Sequence, residues 1–438
     1  MVGLVRALRA RGLKVAVFKC GPDYLDPTYH VRAARAPCHN LDGWMMGREA
    51  VLSTFMHASQ GADIALLEGV MGLFDGALPT SDEGSTAEIA KWLQAPVLLV
   101  CDAGGMARSI AALAKGFSTF DADLQIAGLI CNRIGSRGHL DLLRKATGGE
   151  PPVMGGLPKE AALAFADRHL GLHSADRTTV PEEVFVAWGD RVSEWCDVEA
   201  IVSLARSAPA LPETPAMERI VGQGIECRIG LAFDEAFHFY YDDNLRRLES
   251  LGAELVRFSP IHDAHLPDVD GLYFGGGYPE VHAEELSRNL SMRKDVAAFG
   301  EAQGPIYGEC GGLMYLSNGI RTLDGTLHPM VGLIPGEAEM KDRLQALGYV
   351  EVDTKDATML GPAGLKFRGH QFRYSDFRLP PEVECTYHVR RRRGGEPFQE
   401  GYCQGNTLAS YVHAHWASNP LLAQNFVQAC STHARRVR

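Results

Sequence analysis

The chain has 438 residues, 46% of them apolar and 22% charged, with a formal net charge of -11. That length predicts two domains, and that composition a soluble globular protein. The negative charge excludes nucleic acid or an anionic membrane surface as the main partner, yet it leaves room for an anionic small substrate in a local basic or metal-containing pocket. The 10 cysteines form no C-x-x-C pair, and several lie inside apolar runs such as LLVCDA and LICNR. Reduced, mostly buried thiols in the cytoplasm are expected rather than a disulfide framework. The sequence shows no signal-peptide pattern, no membrane-length apolar run and no internal repeat.

The opening MVGLVRALRARGLK predicts an amphipathic helix, followed by a strand at Val15–Phe18. Further strands are predicted at Asp63–Leu67, Pro96–Cys101, Ile126–Cys131 and Val153–Leu157, with helices at Thr86–Leu93 and Ala107–Phe117 between them. Continuous apolar strands alternating with helices predict a parallel sheet covered on both faces. Ligands of such sheets bind beyond the carboxyl ends of the strands. The polar motifs stand at those ends. Lys19 is followed by Asp23 and Asp26 in a Gly- and Pro-fixed loop, able to hold Mg2+ or orient a substrate group, or else to form a solvated turn. Glu68 closes the second strand, where nucleotide-hydrolysing folds hold Mg2+, and Asp75 follows in the same loop. Asp102 and Asn132 end the next two strands. Together these predict a phosphate and metal site, with Asp23 and Glu68 on the metal, Lys19 and Asn132 on the nucleotide, and Asp23, Asp26, Glu68 and Asp75 on phosphate and substrate.

The stretches KCGPDYLDPTYH, NLDGWMMG, LLEGVMGLFDG, CDAGGMARSIAALAKGF, NRIGSRGH and Arg168–Leu172 resemble the synthetase domain of the cobyrinic acid a,c-diamide synthase family over residues 1 to about 200. The resemblance implies an ATP-dependent amide-forming domain of the dethiobiotin synthetase type of P-loop fold. That family carries an apolar strand and a Gly-Lys-Thr phosphate loop ahead of its first helix. This chain opens within the helix, and no G-x-x-x-x-G-K-[ST] occurs in it. The loop's backbone amides and lysine cradle the β- and γ-phosphates. Impaired ATP binding is therefore expected of this chain, along with an apolar slot in the sheet. A start codon placed too far downstream, or a shortened chain, explains this more simply than degeneration.

A helix is predicted near Val184–Ser203. Three prolines at spacing three, Pro209, Pro212 and Pro215, predict an extended connector. The expected domains are 1–205 and 227–438, joined by a linker over 206–226. The second opens with a strand at Arg228–Phe233, then an aromatic cluster at Phe237–Tyr241 and a helix at Leu245–Leu251. The aromatics line a planar-ligand pocket or pack at an interface, and Asp242 and Asn244 are candidate contacts for that ligand. A strand ends in Gly275-Gly276-Gly277, and the Gly276 and Gly277 N–H groups are suited to an oxyanion. Next comes PIYGECGGLMYLS, a strand, glycine turn and helix with Cys310 at the turn, the elbow arrangement of a nucleophile. The helix N-terminus is expected to lower the thiol pKa. Late in the chain, alternation on a short strand predicts His413 and His415 on one face, one of them the base for Cys310.

This order resembles a class I glutamine amidotransferase domain of the cobyrinate type, through FGGGYPE, YGECGGLMYLS, GHQFRYS and ASYVHAHWASNP across residues 228 to 420. The resemblance implies a Cys310–His413 dyad, since His415 stands where the wider class often has a Glu. The fold class is then α/β in two domains, one P-loop NTPase-like and one class I amidotransferase-like. The implied reaction is ATP- and glutamine-dependent amidation of the a and c acetates of cobyrinic acid, through glutaminase-derived ammonia and an acyl phosphate. Expected partners are glutamine, ATP with Mg2+, and a corrin polycarboxylate, with no nucleic acid and no membrane, and self-association left open. Alternatives are amidation of hydrogenobyrinate or nickel-sirohydrochlorin, a decayed tetrapyrrole-binding protein, and a glutaminase serving a partner.

Overall fold

The computed structural model describes residues 1–160, 167–168, 171–172, 180–211, 226–380 and 383–437. The Arg168–Leu172 stretch lies partly outside them, as does the connector from residue 212 to 225. The described residues form two compact units, one of those within Met1–Trp44 and 48–211, the other of Met45–Gly47 and those within 226–437. Among the described residues no helix is long and apolar enough to cross a membrane.

The first unit is built on parallel strands. Val15–Cys20, whose six residues are all buried, lies between Cys38–Leu41 and Ile64–Glu68. Ile126–Ile134 lies between Val97–Asp102 and Val153–Pro158. All five strands predicted here are present. Cys38–Leu41 (CHNL) was not predicted, because two polar residues in four give no apolar run. The helix expected at Val184–Ser203 is two helices, Glu182–Trp195 and Val198–Arg206. Extended backbone at Cys196 ends the first, and Asp197 caps the second by accepting from the Ala200 N–H.

The strands Ile64–Glu68 and Val97–Asp102 are edges of separate sheets and do not pair. Both line one cavity of about 1390 Å³, with Leu66, Leu98 and Val100 in its wall and Asp26, Glu68 and Asn132 also lining it.

The second unit holds a ten-stranded sheet. Its parallel part runs Ala253–Phe258, Cys227–Ala232, Gly271–Phe274, Ile306–Glu309 and Thr407–Ser410. Antiparallel strands continue through Phe398–Gln404, Cys385–Arg391, Ala346–Thr354 and Lys366–Arg373 to His413–Ala414. The helix expected at Leu245–Leu251 starts earlier, at Asp242, where Asp242 and Asp243 place negative charge in its first turn. The sheet curls so far that its tenth strand returns to its fourth: the Ala414 N–H donates to Glu309 Oε1 at 3.1 Å.

Candidate functional site

Cys310 ends the fully buried strand Ile306–Glu309 and precedes the helix Gly311–Leu316. Its φ of 49° and ψ of -98° are strained for a non-glycine residue, as an elbow requires. The flanking glycines are sterically needed. A Cβ on Gly312 would lie 2.8 Å from Phe274 Cβ, and one on Gly311 would lie 3.2 Å from the Gly277 backbone N. The elbow therefore sits directly against the glycine loop proposed for the oxyanion.

That loop is held from behind. Gly276 and Gly277 pair with Phe239 and Phe237. The Gly275 N–H donates 2.8 Å to the Tyr240 hydroxyl, which donates in turn to the Ala232 carbonyl. The aromatic cluster thus packs against the glycine loop. Against Gly276 stands the ring of His413. A Cβ on Gly276 would fall 3.3 and 3.4 Å from the two ring nitrogens of His413 and closer still to its Cε1. Next to it, His370 pairs with His413 across the strands, with ring centroids 6.4 Å apart. Two residues further on, the Phe372 carbonyl faces Cys310 Sγ at 3.9 Å. The glycine loop, elbow, Lys366–Arg373 strand and His413 strand converge on one place.

Electrostatics reverse one expectation. Burial, then the charge of Glu280, push the Cys310 thiol up to about 12, against the opposing pull of Arg373 and the Gly311 N–H. The six-residue helix is too weak a dipole to win against desolvation. Burial and neighbouring His370 hold His413 down at about 3. The resting pair is a neutral thiol and a neutral imidazole, so proton transfer must accompany attack.

His413 and His415 do not share an environment, contrary to the alternation argument. The strand is two residues long, and His415 begins a 3-10 turn. Its ring lies 4.7 Å from that of Tyr241, and burial sets its pKa at about 4. Asn244 is not a ligand contact either. It is fully buried, its Nδ2 donates to the Ala414 carbonyl at 2.8 Å, and its Oδ1 accepts from the Trp416 N–H at 2.8 Å.

In the first unit, Lys19 is 4% exposed and occupies the centre of the acids. Its Nζ lies 2.5 Å from Asp26, 3.6 Å from Glu68 and 3.7 Å from Asp23, and it donates to the Gly69 carbonyl at 3.2 Å. Burial works against its charge, but Glu68, Asp26 and Asp23 together raise its pKa. Burial likewise opposes the charge on Glu68, yet the hydrogen bond from His30, the N-terminal ammonium of Met1 and, behind them, the Lys19 charge hold its carboxyl at about 2. Asp23 Oδ1 caps the Asp26–Ala34 helix through the Leu25 and Asp26 N–H groups, so Asp23 serves the loop first. Asp75 accepts from the Gly72 N–H at 2.9 Å and closes its own turn. Asn132 reaches the cavity from the other sheet, as Glu68 and Asp26 do from the first.

Among the described residues no cluster of three or more His, Cys, Asp or Glu is arranged to hold a metal ion. The cation among the acids is Lys19. The donor set suits a Mg2+ that arrives with phosphate oxygens rather than an all-protein cage.

Sequence reasoning missed three residues. His30, 1% exposed, is bonded to Glu68 and lies one helical turn after Asp26 in the KCGPDYLDPTYH stretch, a spacing that marks it. Glu309 is 1% exposed beside the nucleophile, and burial raises its carboxyl to about 7 against the donors that face it. Glu400, 3% exposed, accepts from Gln371, the Ser410 hydroxyl and the Tyr411 N–H. A charged residue inside an apolar strand was the available signal for Glu309.

A CobQ/CobB/MinD/ParA nucleotide binding domain matches residues 1–170, and a CobB/CobQ-like glutamine amidotransferase domain matches residues 228–421. A cobyrinate a,c-diamide synthase of Leptospira interrogans is 53% identical over 431 residues, 98% of this chain and 94% of that one. That of Syntrophotalea carbinolica is 50% identical over 98% of this chain and 95% of its own. That of Dehalococcoides mccartyi is 43% identical over 97% and 94%.

Proposed function

The chain belongs to the cobyrinate a,c-diamide synthase family, and from that premise we propose that it amidates the a and c acetate carboxylates of cobyrinate with ammonia drawn from glutamine. The observation that carries the glutaminase half is the contact of Gly276 with the His413 ring beside the strained Cys310 elbow.

Cys310 Sγ attacks the side-chain amide carbon of glutamine while its proton passes to His413. The imidazole rests neutral and open to a proton, and because burial disfavours a separate thiolate and imidazolium, the transfer accompanies the attack rather than preceding it. The oxyanion takes hydrogen bonds from the Gly276 and Gly277 N–H groups. His413 returns the proton to the departing nitrogen, giving ammonia and a thioester. Water then hydrolyses the thioester to glutamate and restores the thiol.

In the nucleotide-binding domain, ATP transfers its γ-phosphoryl group to a substrate carboxylate, and ammonia displaces phosphate to give the amide. Activation is needed because hydroxide is a poor leaving group. Asp26 and Glu68 would hold Mg2+ together with the phosphates, Asn132 would meet the nucleotide from the opposite wall, and Mg2+ would neutralise phosphate charge.

The test is an assay with cobyrinic acid, Mg-ATP and glutamine, beside a Cys310→Ala control. Glutamate release that is lost in the control is the expected result, with ADP and diamide formed only slowly because the chain carries no G-x-x-x-x-G-K-[ST] loop to cradle the phosphates. Glutamate release that ignores Cys310 would overturn the glutaminase assignment, and Cys310-dependent glutamate without ADP would overturn the synthetase assignment for this chain.

A further inference from the structure

The strand that carries His413 is only two residues long and pairs by backbone with Gly369 and His370 on one side. On its other side no strand among the described residues is hydrogen-bonded to it. Two buried side chains stand in place of one. The Ala414 N–H donates to Glu309 Oε1 at 3.1 Å, and the Ala414 carbonyl accepts from Asn244 Nδ2 at 2.8 Å. Both backbone groups of the residue after the base are thereby satisfied by side chains.

Glu309 does more than close this edge. Its Oε1 also accepts from the Tyr307 hydroxyl at 2.7 Å, and its Oε2 accepts from the Tyr273 hydroxyl at 3.0 Å. Tyr273 lies two residues before the glycine loop, Tyr307 lies on the elbow strand, and Ala414 follows the base. One carboxyl group therefore joins the three strands that present the oxyanion amides, the nucleophile and the base. A buried carboxyl with three donors is rigid, since each broken bond leaves a desolvated partner. Cys310 itself needs such support, because its backbone is strained.

We propose that Glu309, backed by Asn244, is the positioning residue that sets His413 against Cys310 and the Gly276–Gly277 loop, acting through the backbone of Ala414 rather than on the imidazole. This rests on the glutaminase reading above.

The test is steady-state glutamate release from the full chain, with melting curves to score folding. Glu309→Gln keeps an acceptor for Ala414 and Tyr307 and an amide for Tyr273, so its kcat should stay within about 5-fold of the unaltered chain. Glu309→Ala should lose about 100-fold in kcat, the scale of an ångström-sized misplacement, with KM for glutamine nearly unchanged. Tyr273→Phe, which leaves Glu309 and Ala414 joined, should fall between. If Glu309→Ala does not fold, an active, folded Glu309→Gln together with a partial loss in Tyr273→Phe supports the role. A folded Glu309→Ala with unchanged kcat would overturn it, as would a folded Glu309→Gln as slow as a Cys310→Ala chain. Absence of Cys310-dependent glutamate release from the unaltered chain would overturn the glutaminase reading first, and this role with it.

Discussion

Gly276 and His413 are in van der Waals contact across 137 residues of sequence, so tightly that no side chain fits between the oxyanion loop and the base. Gly276→Ala should push the imidazole away from Cys310. A loss of about 100-fold in kcat for glutamate release is expected, with a stability cost of about 1–3 kcal/mol from overpacking. Wild-type turnover in a folded Gly276→Ala chain would show that the ring does not work from this position.

The buried thiol has a consequence for labelling. With Cys310 raised to about 12, its thiolate fraction near pH 7 is small and grows about tenfold per pH unit. Alkylation of Cys310 by iodoacetamide, read by peptide mass spectrometry, should be slow at pH 7 and rise steadily to pH 10. A rate already flat above pH 7 would mean that the site activates the thiol before substrate arrives.

Three buried histidines make the second unit acid-sensitive. His370 and His415 are depressed to about 4 and His413 to about 3, all first by burial, from an ordinary value of 6.5. Above pH 6.5 both folded and unfolded chains hold them neutral. Below it the unfolded chain takes up protons that the folded one refuses, so stability is lost from pH 6.5 down to each folded value, by about 1.4 kcal/mol per pH unit for each histidine. Urea unfolding of a His370→Gln chain between pH 6 and pH 5 should show a shallower dependence by roughly that amount. Identical slopes would mean that His370 is protonated in the folded chain.

Lys19 is the counter-ion of three carboxylates. Lys19→Met should cost about 3–5 kcal/mol by leaving Asp23, Asp26 and Glu68 facing one another. Millimolar Mg2+ should restore part of the lost melting temperature in that variant and leave the unaltered chain unmoved. A melting temperature indifferent to Mg2+ in Lys19→Met would rule these acids out as a cation site.

Much of the second site was legible because it is local. An apolar strand, Gly-Glu-Cys-Gly-Gly and an apolar helix follow one another without a break, and the backbone of such a stretch has few ways to turn. Glu309 lies inside that stretch, yet its role was not readable. Its partners Tyr273 and Ala414 are 36 and 105 residues away, and nothing in the spacing joins them. Asn244 was misread for the same reason, its partners being 170 and 172 residues off. In the first unit the strand-end acids were visible one by one. That Lys19 would sit among three of them, and that Asp75 would turn back on Gly72, depended on how the loops closed.

From the sequence alone came the alternation of strands and helices, the elbow around Cys310, the glycine loop and the late histidine, because backbone periodicity and turn chemistry act over a few residues. The tertiary structure decided which histidine faces Gly276, that the thiol and imidazole rest uncharged, and that a carboxyl beside the nucleophile holds the strand of the base. Those outcomes depend on desolvation and on hydrogen bonds between distant segments, and both exist only once the sheet has curled its tenth strand back to its fourth.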